Sequence, residues 1–286
     1  MVRRHELTDQ EWELLAPLIP RAATGRPRVD DRQVVNGMVY KIRTGISWRD
    51  LPERYGPWQT VYTRFRRYAL DGVFTRALQQ IQARADAAGD IDWLVQIDST
   101  VVRAHQHAAA TGRKGGGTGD EPDDHALGRS RGGLTTKIHL ACDGRGRPLA
   151  ILLTPGQRHD SICAQTLLER IRVPRAGLGR PRCRPDQVIA DKAYSSRGLR
   201  AYLRKRGIAH TIPEKADQQR HRLNRGRRGG RPPGFDRQTY RRRNTVERCF
   251  NQLKGFRGIA TRYEKTATSY EAAVTLASFL LWARSV

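Results

Sequence analysis

Acidic residues are scarce in this sequence: Asp and Glu number 28 against 53 Lys and Arg, leaving a formal charge of +25 and a pI near 11.0. That balance excludes an acidic, self-solvating surface and points to a polyanionic partner. Long apolar runs are missing too. None approaches the roughly 18 residues that span a bilayer, and the opening "MVRRHELTDQEWELL" lacks the apolar core of a signal peptide. A soluble, cytoplasmic protein is expected. Cys142, Cys163, Cys183 and Cys249 stand apart with no C-x2-C pair, which excludes a zinc knuckle and a dithiol redox motif. They read as reduced packing residues. The stretch "GRKGGGTGD" lacks the G-x4-G-K-[ST] pattern of a phosphate loop and reads as a flexible linker.

What is present begins with 286 residues, 38% of them apolar, enough for a core of moderate size in one large domain or two. The positive charge is local: residues 197 to 262 hold 20 Lys or Arg and 4 Asp or Glu. An Arg-rich composition inherited from the genome would spread its charge along the chain; clustering marks a binding surface.

Residues 1–88 read as a helical module. "LTDQEWELLAPLI" opens with a capping box, Thr8 and Glu11, and "DDRQVVNGMVYKIRTG" carries an apolar stripe that stops at Gly45, with Asp30 or Asp31 as cap. A third helix, "WQTVYTRFRRYALDG", sets Val61, Phe65 and Tyr68 on one side. Thr60, Thr63, Arg64, Arg66 and Arg67 occupy much of the rest. That mix suits a helix-turn-helix-like recognition helix, with Arg64 and Arg67 as phosphate contacts; it also suits an ordinary solvated face.

From residue 93 the periodicity changes to that of strands. "WLVQIDSTVVRA", the hairpin "TKIHLACDGRGRPLAILLTPG" around Asp143-Gly144, "DQVIADKAY" and "AHTIPE" read as strands. Helices are expected near 160–171 and 197–206, at "TYRRRNTVERCFNQLKGF" and at "SYEAAVTLASFLLWARS". The basic segment 217–234 has almost no apolar content and is expected to stay mobile. The fold class expected is α/β, a mixed sheet flanked by helices over residues 89–286, behind a small all-helical DNA-binding domain.

Three carboxylates stand out by position. Asp98 closes the apolar run "LVQID", Asp191 closes "VIAD", and Glu247 sits on a late helix rich in cations. A carboxylate ending an apolar strand is costly to desolvate unless it meets a cation or reaches water. Two Asp and one Glu, with no Cys or His spacing, favour Mg2+ or Mn2+ and can hold two such ions for in-line phosphoryl displacement. Pairing of each with one of the many Arg is the alternative for any one of them. On an unbroken helix, Tyr240, Arg243, Glu247 and Lys254 fall within a sector of about 60°, beside an apolar face of Val246, Phe250 and Leu253.

The pattern Y-x2-R-x3-E-x6-K formed by Tyr240, Arg243, Glu247 and Lys254 resembles the signature of the DDE transposases of bacterial insertion sequences, in the group called insertion sequence 4 and 5. "VQIDSTVVRAH", "GGLTTKIHLACDGRGRPL", "GQRHDS" and "VIADKAYSS" resemble further blocks of that family in the same order. The resemblance implies a ribonuclease-H-like fold with Asp98, Asp191 and Glu247 as catalytic, metal-binding triad. It also implies nicking of double-stranded DNA at terminal inverted repeats, attack of the freed 3′-hydroxyl on target DNA, and a homodimer or higher oligomer on the DNA. A catalytically silent DNA-binding regulator and a nuclease without a joining step are the alternatives. Arg243 and Lys254 are candidate phosphate clamps, and Tyr240 a stacking or backbone contact. Lys192 either contacts DNA or faces solvent. His105 and His107 could pair on a metal, but nothing nearby completes the site. His139, and His159 with Asp160, are expected to support the site or to contact DNA.

Overall fold

The structure is a computed structural model and describes residues 3–20, 28–108, 125–130 and 133–285. Helix α1 (Asp9–Leu15) carries the expected capping box, with Thr8 and Glu11 each bonding the other's backbone amide. The cap of α2 (Asp31–Thr44) is Asp30, which accepts the Gln33 amide, and α2 ends on Gly45 in the left-handed region at φ 74°. In α3 (Trp58–Leu70) the buried residues are Val61, Phe65 and Tyr68. Its aromatic face continues through Phe74 into α4 (Val73–Ala87).

The strands follow: β1 (Leu94–Ala104), β2 (Gly128–Ser130), β3 (Gly133–Cys142) and β4 (Pro148–Pro155). After α5 (Asp160–Glu169) come β5 (Gln187–Ala190), α6 (Arg197–Lys205), β6 (Ala209–Thr211) and α7 (Ala216–Asn224). The chain then runs through α8 (Arg237–Tyr240), α9 (Asn244–Lys254), α10 (Arg257–Ala260), β7 (Thr261–Arg262) and α11 (Ala267–Ala283). The sheet is mixed, in the order β2-β3-β1-β5-β6; β4 pairs the later part of β3, and β7 lies beside β1. Antiparallel pairing joins β1 to β3, while β1 to β5 and β5 to β6 are parallel. Leu94–Ile97 and Val188–Ala190 are buried, as central parallel strands covered on both faces must be.

Helix α11 joins the two halves. It buries residues all round its circumference and packs on α1 to α4 on one side and on β4, α9 and α10 on the other. One continuous apolar core therefore runs from Leu7 to Ala283. Polar ties reinforce it: Lys41 of α2 forms a buried ion pair with Glu264, and Glu11 of α1 faces Arg43 and Arg284. No helix among the described residues is long and apolar enough to cross a membrane.

Three expectations are corrected. Asp98 does not end its strand: β1 runs on to Ala104 because β3 supplies partners in unbroken register from Gln96 to Arg103. The late helix is not continuous, since a 3-10 turn at Arg241–Arg243 separates α8 from α9. The first half of the basic segment is not without structure. It forms α7, whose Gln218 bonds Ser195 and whose Arg222 pairs with Glu214 at 2.9 Å. The Gly-rich stretch 111–124 lies outside the described residues.

Candidate active site

Parallel pairing of β1 with β5 ends at Ile97 and Ala190. Asp98 and Asp191 are the next residues on the two adjacent strands, so the register alone sets these carboxylates side by side. There β5 stops, because the Asp191 side chain turns back to accept the Ala193 amide at 2.8 Å and starts a 3-10 turn. Asp98 stays in the sheet, opposite Leu140 of β3, and accepts the Ser99 amide at 2.8 Å.

Alternate residues of a strand share a face, and on β1 that face carries Gln96, Asp98 and Thr100. Helix α9 and the turn before it dock on all three. The Val246 amide donates to Gln96 Oε1 at 3.1 Å, Arg243 Nη1 to Asp98 Oδ2 at 3.1 Å, and Lys254 Nζ to Thr100 Oγ1 at 2.7 Å. The second amine of Arg243 reaches Glu247 Oε1 at 2.5 Å, so a single planar fork joins the first and third carboxylates. The helix buries Val246, Cys249, Phe250 and Leu253, while the Glu247 side chain stays 46% exposed at the rim.

The 3-10 turn advances about 120° per residue instead of 100°, so Tyr240 is rotated from the sector an unbroken helix would give it. It remains at the cluster. Burial pushes its phenol up and Arg243 opposes this, while Asp191, Asp98 and Glu247 add to it. Its ring packs on Phe235 at 5.1 Å.

The electrostatics are those of crowded negative charge. Burial pushes Asp98 up to about 6; the Ser99 amide and Arg243 work against the shift, and Asp191 and Glu247 add to it. For Arg243, burial works against the charge, and Asp98, Tyr240, Glu247 and Asp191 together still hold it above its usual range. Lys254 is pulled down by burial.

The other face of β1 is braced by a second polar cluster. Ser99 Oγ donates to Asp160 Oδ1 at 2.8 Å, and Lys137 Nζ donates to the same oxygen at 2.8 Å. His139 is fully buried, with Nε2 2.8 Å from Thr154 Oγ1. His159 is exposed at the start of α5.

Among the described residues, no three His, Cys, Asp or Glu side chains stand close enough as placed to share one ion. The donor set nonetheless suits a hard divalent cation, being all oxygen, crowded with like charge, and drawn from elements that converge. Ligation by all three needs Asp98 and Glu247 to turn off Arg243. His105 and His107 do lie together, rings 4.5 Å apart, but the other ring on His105 is Tyr263.

The remaining candidates separate. Arg64 is held by Asp31 at 2.9 Å with its side chain 13% exposed, so its guanidinium ties α3 to α2. Arg67 is exposed and pairs loosely with Asp71 at 3.6 Å, and Lys192 is exposed on the turn after Asp191. Sequence reasoning missed Gln96 and Thr100. The signal was there: they are the polar residues at even positions of an apolar strand, flanking Asp98.

The family described as "Transposase DDE domain" matches residues 91–282, and the one described as "Putative transposase of IS4/5 family" matches residues 7–78. The chain is similar to "Putative transposase for insertion sequence element IS6501" of Brucella ovis, 34% identical over 151 residues that cover 53% of this chain and 100% of that one. It is also similar to "Putative transposase for insertion sequence element IS402" of Burkholderia cepacia, 30% identical over 164 residues, 57% of this chain and 67% of that one. "Uncharacterized protein y4sN" of Sinorhizobium fredii is 39% identical over 113 residues, 39% of this chain and 86% of that one. Among solved structures, "Mos1 transposase paired-end complex with left transposon end" aligns over 93% of this chain and 82% of that one. At 13% identity and a TM-score of 0.26, that likeness carries no inference.

Proposed function

Since the chain belongs to the DDE-domain transposases of the IS4/5 family, we propose that it binds the terminal inverted repeats of an insertion sequence, cleaves the DNA at the element's ends and joins the 3′-hydroxyls to target DNA. In this reading, residues 89–286 form a ribonuclease-H-like catalytic domain and 1–88 a DNA-binding module. Asp98, Asp191 and Glu247 hold divalent cations, Mg2+ by preference. The observation that carries it is the convergence of the three carboxylates: two are neighbours by strand register, and the third is tied to the first through Arg243.

Bound there, the cations supply a nucleophilic oxygen at neutral pH and charge neutralisation at the phosphate. The chain's own residues do the rest. The sheet fixes Asp98 and Asp191, so that little rearrangement of backbone is needed at the reacting phosphate. Arg243 offers a planar fork to phosphate oxygens and Lys254 a point charge. Tyr240, backed by Phe235, presents a flat ring beside the scissile strand. Arg67, Lys192 and the exposed arginines of residues 220–231 add backbone contacts; Arg64 contributes through α3, which it holds on α2. Two DNA ends must be processed together, so the working form is a dimer or larger assembly on DNA in the cytoplasm.

Asp98→Asn and Glu247→Gln should each abolish Mg2+-dependent cleavage of a labelled end fragment while a mobility-shift assay shows binding within about twofold of wild type. Cleavage at the wild-type rate by either variant would sink the assignment. Binding without cleavage by the wild-type chain points instead to a catalytically silent regulator.

A further inference from the structure

Helix α9 carries Glu247 in its first turn, where the amides have no acceptor within the helix. Arg243, at the N-cap, supplies none, because its guanidinium carries donors only, and these are directed to Asp98 and Glu247. The acceptor comes from the sheet. Gln96, 0% exposed, reaches up from β1 and takes the Val246 amide at 3.1 Å, one residue before Glu247 and two before Asp98 on its own strand. Among the described residues its Nε2 has no partner, so the acceptor is the polar function this buried side chain performs there.

We infer that Gln96 is a positioning residue for the third carboxylate. By capping α9 from the strand that carries Asp98, it fixes where Glu247 stands along β1, and hence whether the two acids can serve one cation. The geometry is selective. Gln96, Asp98 and Thr100 share a face, and α9 is fastened at both ends, by Gln96 at its first turn and by Thr100 to Lys254 at its last. The Thr100 fastening sets the far end of the helix; the Gln96 fastening sets the end that bears Glu247. An apolar residue at 96 leaves a buried amide unpaired at the turn where the ligand sits.

This inference rests on the reading of Asp98 and Glu247 as cation ligands, and its test separates the two. Mn2+ binding to the full chain, without DNA, is measured by titration calorimetry for wild type, Gln96→Met, Gln96→Glu, Glu247→Gln and the double variant Gln96→Met/Glu247→Gln. Gln96→Met should weaken Mn2+ binding about tenfold, as loss of a ligand's supporting partner does. Gln96→Glu, which keeps an acceptor oxygen for Val246, should bind no more weakly than wild type. In the Glu247→Gln background, Gln96→Met should cost nothing further, because the ligand it positions is gone. Unchanged affinity in Gln96→Met, a Gln96→Glu variant as weak as Gln96→Met, or the same tenfold loss in the Glu247→Gln background each overturns the role of Gln96. If Gln96→Met does not fold, Gln96→Glu decides: binding weaker than wild type overturns the role, and binding at least as tight supports it. A wild-type chain that binds no Mn2+, or whose affinity Glu247→Gln leaves unaltered, overturns the cation reading itself.

Discussion

Arg243 spans Asp98 and Glu247 with two amines of one plane, a geometry no ammonium reproduces. Arg243→Lys therefore keeps the charge but loses the fork, and single-turnover end cleavage should fall by about tenfold or more; a rate within twofold of wild type would argue against the role. Behind the site, burial holds His139 down at about 4, against 6.5 for a free imidazole, with Lys137 adding to the shift and Asp160 opposing it. It is neutral in the fold at pH 7, whereas the unfolded chain takes up a proton there as pH falls through 6.5. Stability is thus lost between about pH 6.5 and 4, by up to roughly 3 kcal/mol. Urea unfolding at pH 7.5 and 4.5 should show a smaller loss in His139→Gln than in wild type. Asp98 and Asp191 stood out in the sequence because a carboxylate closing an apolar run needs a reason, and Glu247 because it is a lone acid on a helix rich in cations. Gln96 did not, because a neutral amide in a strand more often faces water, and only the docked helix shows that this one does not.

Between elements, α10 lies with its backbone close against that of α2. A Cβ on Gly258 would lie 2.9 Å from the Ile42 carbonyl oxygen, which is backbone and cannot swing aside. Gly258→Ala should cost about 1–3 kcal/mol in denaturant unfolding; a neutral result would show that the two helices can separate freely. Nearby, Glu264→Gln leaves Lys41 charged and buried without its partner, with an expected loss of about 3–5 kcal/mol. Helices α1 and α2 were legible down to their caps, because Thr8, Glu11, Asp30 and Gly45 act within one turn of themselves, whereas α4 was missed. The run of β1 past Asp98 was legible in "WLVQIDSTVVRA", but its register with β3, some forty residues on, was not. The break between α8 and α9 was hidden: Tyr240, Arg241, Arg243 and Asn244 all have helical dihedrals, and the tighter turn distinguishes them. Helix α7 forms despite its polarity, because Ser195 and Glu214 give Gln218 and Arg222 specific partners.

For the molecule as a whole, the charge excess has a measurable signature. Arg225, Arg227 and Arg228 are exposed on the turn after α7. Replacing all three with Ala should reduce the slope of log affinity against log salt by about 0.9 for each phosphate the variant no longer neutralises; an unchanged slope would remove this segment from the DNA interface. The core has a consequence of another kind, in time. Helix α11 is the wall against which α1 to α4 pack, and it also closes over β4 and α9. During synthesis the residues of Asp9–Leu15 emerge well before those of Ala267–Ala283, so α1 to α4 must wait, with their apolar stripes open, for a partner not yet made. Completion of the fold then depends on closing one of the longest loops the chain contains, which slows folding and prolongs the interval in which chaperones and proteases can reach the nascent protein.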